Sequence, residues 1–151
     1  MRDRRLRIFV VLLSVQVAAF IVGLVVSKKL TRGDESSDDF RLASIMGGKK
    51  FSSHAAHLRS GTVITVMGGM ALDLRGATLD PAGASLELKT MMGGIEVIVP
   101  EDWAVDVDED VRAGQLEVKV TPPEGLPEDA PKLHVHAATR IGGTQVTAKA
   151  A

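Results

Sequence analysis

A ten-residue segment that recurs along the chain restricts its possible folds more than any other feature. The segment TVMGGMALDL at residues 65–74 returns as TMMGGIEVIV at residues 90–99. Weaker copies surround Gly47-Gly48 and Gly142-Gly143, and a copy with a single glycine surrounds Gly114. Successive first glycines are 21, 25, 21 and 28 residues apart. This spacing is typical of solenoids and other arrays of stacked strands.

Apolar and polar residues alternate after each glycine pair. Positions two, four and six after the first glycine are mostly apolar, as at Met70, Leu72 and Leu74, and the positions between them are mostly polar. This period of two predicts strands with one buried face. The positions one and three before the first glycine, such as Met67 and Thr65, are assigned to the same face. Each unit is therefore predicted to be strand, glycine corner, strand, with the preceding methionine in the core.

The glycines themselves are interpreted as structural. Glycine supplies backbone angles and close approaches that a Cβ atom would obstruct, whereas a phosphate-binding loop needs spaced glycines before a helix or a Gly-Lys-Ser/Thr ending. The predicted fold class is all-β, a solenoid-like stack of short strands with Gly-Gly corners, preceded by one transmembrane α-helix. The predicted corners are Gly47, Gly48, Gly68, Gly69, Gly93, Gly94, Gly114, Gly142 and Gly143.

A segment without charges at residues 8–26 predicts that helix. Its 19 residues would span about 28 Å as an α-helix, close to the roughly 30 Å hydrocarbon core of a bilayer. A cleaved signal peptide is the alternative, but the apolar run is longer than a usual signal core and no small-x-small cleavage site precedes Ser27. The predicted organisation is a basic flank at residues 1–7, the transmembrane helix at 8–26, a flexible linker at 27–39 and a β-stack domain at 40–151.

Charge is divided unevenly between these parts. Residues 1–32 carry seven Lys or Arg against one Asp, a net charge of +6, and residues 33–151 carry eleven against eighteen, a net charge of −7. An acidic domain repels phosphate backbones, so nucleic-acid binding is not expected. The basic flank favours an amino terminus in the cytoplasm and a domain outside it. The chain has no Cys, which excludes disulfides and thiolate chemistry.

Two groups of side chains could bind a metal. Four acidic residues have the spacing of positions 1, 3, 5 and 12 of a calcium loop, namely Asp106, Asp108, Asp110 and Glu117. Val111 occupies the position where that loop needs glycine, so an exposed acidic edge is the simpler interpretation.

The histidines form the second group. His134 and His136 share one face of a predicted strand, and they could form a zinc site with His54 and His57 if the fold brought both pairs together. Surface histidines are the simpler interpretation, so neither a metal nor a cofactor is predicted. No residue has the spacing of a catalytic elbow or triad, and no enzymatic activity is predicted.

Function is therefore expected on the polar outer face. Trp103, the single Trp of the chain, is either a rim residue that packs on the end of the stack or an anchor for a partner. The candidate partner surface consists of Trp103, Glu96, Glu117, Asp106, Asp108 and Asp110.

Several motifs resemble one known family. The segments VMGG at residues 66–69, LDLR at 72–75, LEL at 86–88 and MGGIEVIVPEDW at 92–103 are similar to the C-terminal domain of the LiaF-like family, the cell wall-active antibiotics response proteins. The resemblance covers about residues 40–148. It implies a β-solenoid-like stack in a bacterial membrane protein that acts in envelope-stress signalling and restrains a two-component sensor kinase. The best-known members carry several transmembrane helices, whereas this chain is predicted to have one.

The resemblance and the anchor together predict a non-catalytic regulatory domain in the bacterial cell-envelope stress response. The expected location is the cytoplasmic membrane, crossed once, with the domain outside the cytoplasm. The expected partners are the lipid bilayer, through residues 8–26, and a membrane or envelope signalling protein. The alternative is a structural, membrane-tethered scaffold that self-assembles through its stacked β repeats, in which case the chain would form homo-oligomers.

Overall fold

One helix and five long strands follow each other along the chain. A computed structural model describes residues 2–150, apart from the side chains of residues 2–6, 24 and 27. The elements are α1 (Arg2–Leu30), β1 (Asp39–Ser52), β2 (Ser60–Asp73), β3 (Ala84–Pro100), β4 (Ala104–Lys119) and β5 (Lys132–Lys149), with a short 3-10 turn at Pro123–Gly125. Residue 1 and most side chains of the predicted basic flank lie outside the described residues.

Helix α1 contains an apolar stretch of 24 residues, Arg7–Leu30, which is long enough to cross a membrane by length and composition. Only 6% of its most apolar window is buried, so the helix keeps nearly all of its apolar surface uncovered. A helix that is apolar on all sides is stable in a bilayer or in a protein core. The prediction of a single N-terminal apolar helix is confirmed, and α1 extends beyond the predicted 8–26 at both ends.

The five strands form one parallel sheet in the order β1-β2-β3-β5-β4. Their first glycines occupy one row across the sheet, since Gly47 pairs with Gly68, Gly68 with Gly93, Gly93 with Gly142 and Gly142 with Gly114. The prediction of a mostly β domain is confirmed. The strands are 14 to 18 residues long and each continues through its glycines, so the expected short strands separated at the glycines are not observed.

The strand order differs from the order of the repeats in the sequence. The last unit, β5, lies between β3 and β4, and the degenerate Gly114 unit on β4 forms the edge. Strand β5 buries Val135, Ala137 and Val146 completely, as a strand with a neighbour on each side commonly does. Strand β4 is largely exposed, and its charged residues are stable at an edge.

The burial pattern of the sheet changes phase at the glycines. Thr65, three positions before Gly68, and Met70, two positions after it, are both buried. The prediction that the preceding methionines are core is wrong, because Met46, Met67 and Met92 are 36 to 50% exposed. An unbroken strand turns every second side chain to the same face. The positive φ of the first glycine, +120° at Gly68, breaks this phase and leaves the methionine outside.

The predicted flexible linker is bound to the domain. Arg32 N donates a hydrogen bond to Arg41 O (2.6 Å), and Arg41 N donates to Arg32 O (2.8 Å). His54 N donates to Glu35 O (2.6 Å). Residues 32–38 therefore lie along the outer edge of β1 and on the β1–β2 connection, and they do not form a free tether.

Candidate functional site

The first glycine of each pair is required by the fold. Gly47, Gly68, Gly93 and Gly142 have φ between +91° and +132°, a region that other L-residues rarely adopt. A Cβ atom at Gly68 would overlap the carbonyl oxygen of Gly47, and a Cβ at Gly93 would overlap that of Gly68. Glycine is therefore required at Gly68, Gly93 and Gly142 by both the backbone angle and the carbonyl group of a neighbouring strand, and at Gly47 by the backbone angle alone.

The second glycine of each pair has different surroundings. None of these second glycines has a positive φ, namely Gly48, Gly69, Gly94 and Gly143. A Cβ atom would meet nothing within 4 Å at Gly48, and the nearest atom would lie 3.8 Å away at Gly69 and 3.4 Å away at Gly94. Neither backbone angle nor crowding therefore requires glycine in this second column.

A groove of about 840 Å³ lies over the second glycine column. Its floor is the backbone of the four second glycines, exposed or half-buried, with Gln115 in the same row on β4. The neighbouring wall is the row of residues two positions further along, which runs from β1 to β4 as Lys50, Ala71, Glu96, Gln145 and Glu117. The groove runs across all five strands. Neighbouring strands are about 4.8 Å apart, so the groove is roughly 19 Å long. Larger side chains in the second glycine column would fill it.

An apolar ridge lies on the other side of the first glycines. We use this name for the row Met46, Met67, Met92 and Ile141, which ends at Ala113 on β4. Met67, Met92 and Ile141 are 50, 47 and 53% exposed. Soluble proteins seldom expose contiguous apolar rows, and such rows mark interaction surfaces. Sequence reasoning missed this ridge because the methionines were assigned to the core.

Helix α1 contacts the first residue of the ridge. A Cβ atom at Gly23 would lie 3.5 Å from Ile45 Cγ2 and 3.6 Å from Met46 Sδ. Leu13, Val17 and Phe20 border a depression that also includes Met46. Burial lowers the pKa of Lys49 on β1, and the positive charge of Lys28 on α1 lowers it further. The helix therefore lies beside β1 at the level of the ridge.

The six candidate partner residues do not form one surface. Glu96 and Glu117 both border the groove. Trp103, in the β3–β4 connection, is 3% exposed and belongs to the core, so it has almost no surface with which to anchor a partner. Asp106, Asp108 and Asp110 lie on the first half of β4, on the other side of the glycine row.

The acidic edge is next to the histidines of β5. His134 Nδ1 is 3.3 Å from Asp106 Oδ2, and His136 Nδ1 is 3.4 Å from Asp108 Oδ2. Each histidine thus faces a different aspartate. Strand β4 is extended through this run, so alternate carboxylates are spread along it at about 6.6 Å intervals and cannot wrap one ion as a calcium loop does. Within residues 2–150, no three His, Asp or Glu side chains are grouped so that they could hold a metal.

Comparison with known proteins adds one finding. The family model described as "Cell wall-active antibiotics response LiaF, C-terminal" matches residues 45–132, which is more than half of the 151 residues. The matched region includes β2, β3 and β4 and ends at the first residue of β5. It therefore covers the groove and the ridge on those three strands, whereas Ile141 and the groove residues 143–145 lie beyond it. No curated protein and no solved structure matches the chain.

Proposed function

The chain belongs to the LiaF-like family of cell wall-active antibiotics response proteins, and from this we propose that it is a membrane-anchored, non-catalytic regulatory domain of the bacterial cell-envelope stress response. The family match over residues 45–132 carries the proposal. The uncovered apolar helix α1 supports the membrane anchor. Four Arg precede the apolar stretch and three Lys or Arg follow it closely, a small bias that supports a domain outside the cytoplasm.

We propose the groove over the second glycines as the surface that binds the signalling partner. It is open, glycine-floored and about 840 Å³ in volume, within the range of protein ligand sites. Its wall is basic at the β1 end, through Lys50, and acidic towards β4, through Glu96 and Glu117. A partner segment with the opposite order of charges, crossing roughly 19 Å of sheet, would complement it.

A groove-filling variant tests this proposal in cells. Gly69→Leu places a large side chain in the groove where a Cβ atom has 3.8 Å of space. We expect it to change the induction of an envelope-stress reporter by a cell wall-active antibiotic as much as deletion of the gene does, at unchanged protein abundance. Thr78→Leu, at an exposed position in the β2–β3 connection, is the matched control. A deletion strain with an unaltered antibiotic response would exclude the regulatory function.

We also infer that the sheet is coiled like a solenoid. Only residues 101–103 join β3 to the parallel strand β4, and four Cα steps span at most about 15 Å. Val105 is level with Ala84, because both pair with Leu133. The end of β3 must therefore return near its own start, whereas a flat strand of this length would separate its ends by about 50 Å. Strong curvature of β3 supports the predicted coil.

A further inference from the structure

We propose that the apolar ridge is a lipid-contact surface, whose methionines insert shallowly into the bilayer leaflet beside the end of α1. The proposal rests on the membrane anchor proposed above and adds a second attachment of the domain to the same membrane. The ligand is a phospholipid bilayer with anionic headgroups. The domain would then have a fixed orientation on the membrane.

The chemistry of the ridge fits the boundary between acyl chains and headgroups. The side chains of Met67, Met92 and Ile141 are long and apolar, and they are about half exposed on three adjacent strands. The row one position earlier continues this apolar surface on β1, β2 and β3 with Ile45, Val66 and Met91. Side chains of this kind bury their apolar area about 5–10 Å into a bilayer when they bind at its surface.

The charges around the ridge fit an anionic surface. The ridge and the row before it contain no Asp or Glu, although residues 33–151 have a net charge of −7. Their two charged members are Arg112 and Arg140, which are exposed on the adjacent strands β4 and β5. Basic residues near an anionic membrane contribute about 1 kcal/mol each to binding. The acidic residues of β4 at positions 106–110 are on the other side of these arginines.

The contact between α1 and β1 fixes the depth of the ridge. Met46 lies against Gly23, which is seven residues before the end of α1 at Leu30. Seven residues of helix correspond to about 10 Å. If Leu30 marks the membrane surface, the ridge begins about 10 Å below it, at the depth expected for shallow insertion. Lys28 and Lys29, in the last turn of α1, then lie at the headgroups.

The absence of Cys from the chain allows a direct measurement of this depth on the full-length protein. Met67→Cys and Met92→Cys are labelled with bimane and reconstituted in nanodiscs of phosphatidylcholine and phosphatidylglycerol, with or without a lipid that carries a nitroxide near the top of its acyl chain. Val118→Cys, 40% exposed on β4, is the matched control outside the ridge. Val17→Cys, in the apolar stretch of α1, reports the anchor.

We expect the nitroxide lipid to quench the labels at positions 67 and 92 about twofold or more relative to position 118, as shallow insertion requires. We also expect iodide in solution to quench them less than it quenches position 118. Equal quenching at positions 67, 92 and 118, with position 17 protected from iodide, would overturn the ridge proposal and leave the anchor intact. Iodide access at position 17 would overturn the anchor. Protection at positions 67 and 92 from both quenchers would indicate a protein cover, either a partner or a second copy, and would also overturn the lipid proposal.

Discussion

The two glycines of a pair have different surroundings, and substitution of each by alanine should therefore have different effects on stability. Gly68→Ala places a Cβ atom at φ +120° and against the carbonyl oxygen of Gly47. We expect the free energy of unfolding to fall by about 3 kcal/mol or more, because backbone strain and the separation of two strands add together. Gly69→Ala should change it by less than about 1 kcal/mol.

The fluorescence of Trp103 can report both changes in the full chain in detergent. Trp103 is the single Trp and is buried, so its emission follows the unfolding of the domain. Urea titrations of the wild type and the two alanine variants give the free energies directly. Equal destabilisation by the two variants would mean that the second glycine is structural, and the groove would lose its main support.

A pH-dependent ion pair provides a second test at the scale of single residues. Arg75 donates from Nε to Asp73 Oδ1 (3.0 Å) and from Nη2 to Asp73 Oδ2 (2.8 Å). The side-chain hydrogen bonds of Arg75 lower the pKa of Asp73 from its ordinary value of 3.8. Because the folded-state pKa is depressed, the pair stabilises the fold above about pH 4, and this contribution disappears as the pH falls through the folded-state pKa.

Asp73→Asn should therefore reduce the free energy of unfolding at pH 7 by on the order of 0.5 kcal/mol, since both side chains are partly exposed to solvent. At a pH below the folded-state pKa the variant and the wild type should be equally stable. Urea titrations at the two pH values measure the difference. Asp129→Asn, an exposed residue in the β4–β5 connection, is the control. A deficit of the Asp73 variant that persists at low pH would show that it is not electrostatic.

The sequence pattern predicted most buried residues but not the ridge. Alternation after the glycines identified Met70, Leu72 and Leu74 as core, and all three are buried. The same pattern assigned Met67 to the core. However, Met67 and Met70 are three positions apart and cannot share a face of a regular strand. That odd separation was the available signal for a change of phase. Which half of the strand turns outward depends on the glycine φ, which the sequence does not specify.

At the scale of elements, the curvature of β3 can be measured as a distance. Ser85 and Glu101 are exposed near the two ends of the strand. Spin labels at Ser85→Cys and Glu101→Cys should be less than about 30 Å apart, because the short β3–β4 connection brings the strand ends together. A flat strand would place them about 53 Å apart, and a pulsed electron paramagnetic resonance measurement near that value would exclude the coil.

The order of the strands illustrates what repeat spacing cannot predict. Spacing and alternation define five units, but any of them could be the neighbour of β3. The physical difference lies in burial: Val135 and Val146 of β5 are fully enclosed, whereas β4 alternates Val107 with Asp106 and Asp108. A charged strand is more stable at the edge than in the middle of a sheet. Charge content, rather than position in the sequence, would have predicted the edge.

At the scale of the whole molecule, the site was only partly foreseen. Glu96 and Glu117 were chosen because they alternate with core positions, and both border the groove. Trp103 had two predicted roles, packing on the end of the stack or anchoring a partner, and its burial agrees with packing. The groove forms only when five strands align in register, so no single repeat predicts it. The contact of α1 with Met46 is likewise a tertiary feature without a local signal.

The two edges of the sheet bear on the alternative of self-assembly. An open edge of a parallel sheet can add strands from another copy. The β1 edge is covered by residues of its own chain: Arg32 exchanges two hydrogen bonds with Arg41, and Thr31 Oγ1 accepts from Ala43 N (3.3 Å). The side chain of Lys49 donates to Ala43 O (2.7 Å). The β4 edge instead carries a row of carboxylates at positions 106, 108 and 110. Neither edge favours stacking between copies.

We therefore expect the full chain in detergent to sediment as a monomer, and removal of the β1 cover to promote association. Arg32→Pro deletes the donor to Arg41 O and leaves an unpaired carbonyl on the edge strand. Sedimentation velocity over a range of concentrations should show concentration-dependent oligomers for this variant and none for Glu128→Pro, a control in the exposed β4–β5 connection. Long oligomers of the wild type would support the scaffold instead, because they would show that the cover does not prevent one sheet from continuing into the next.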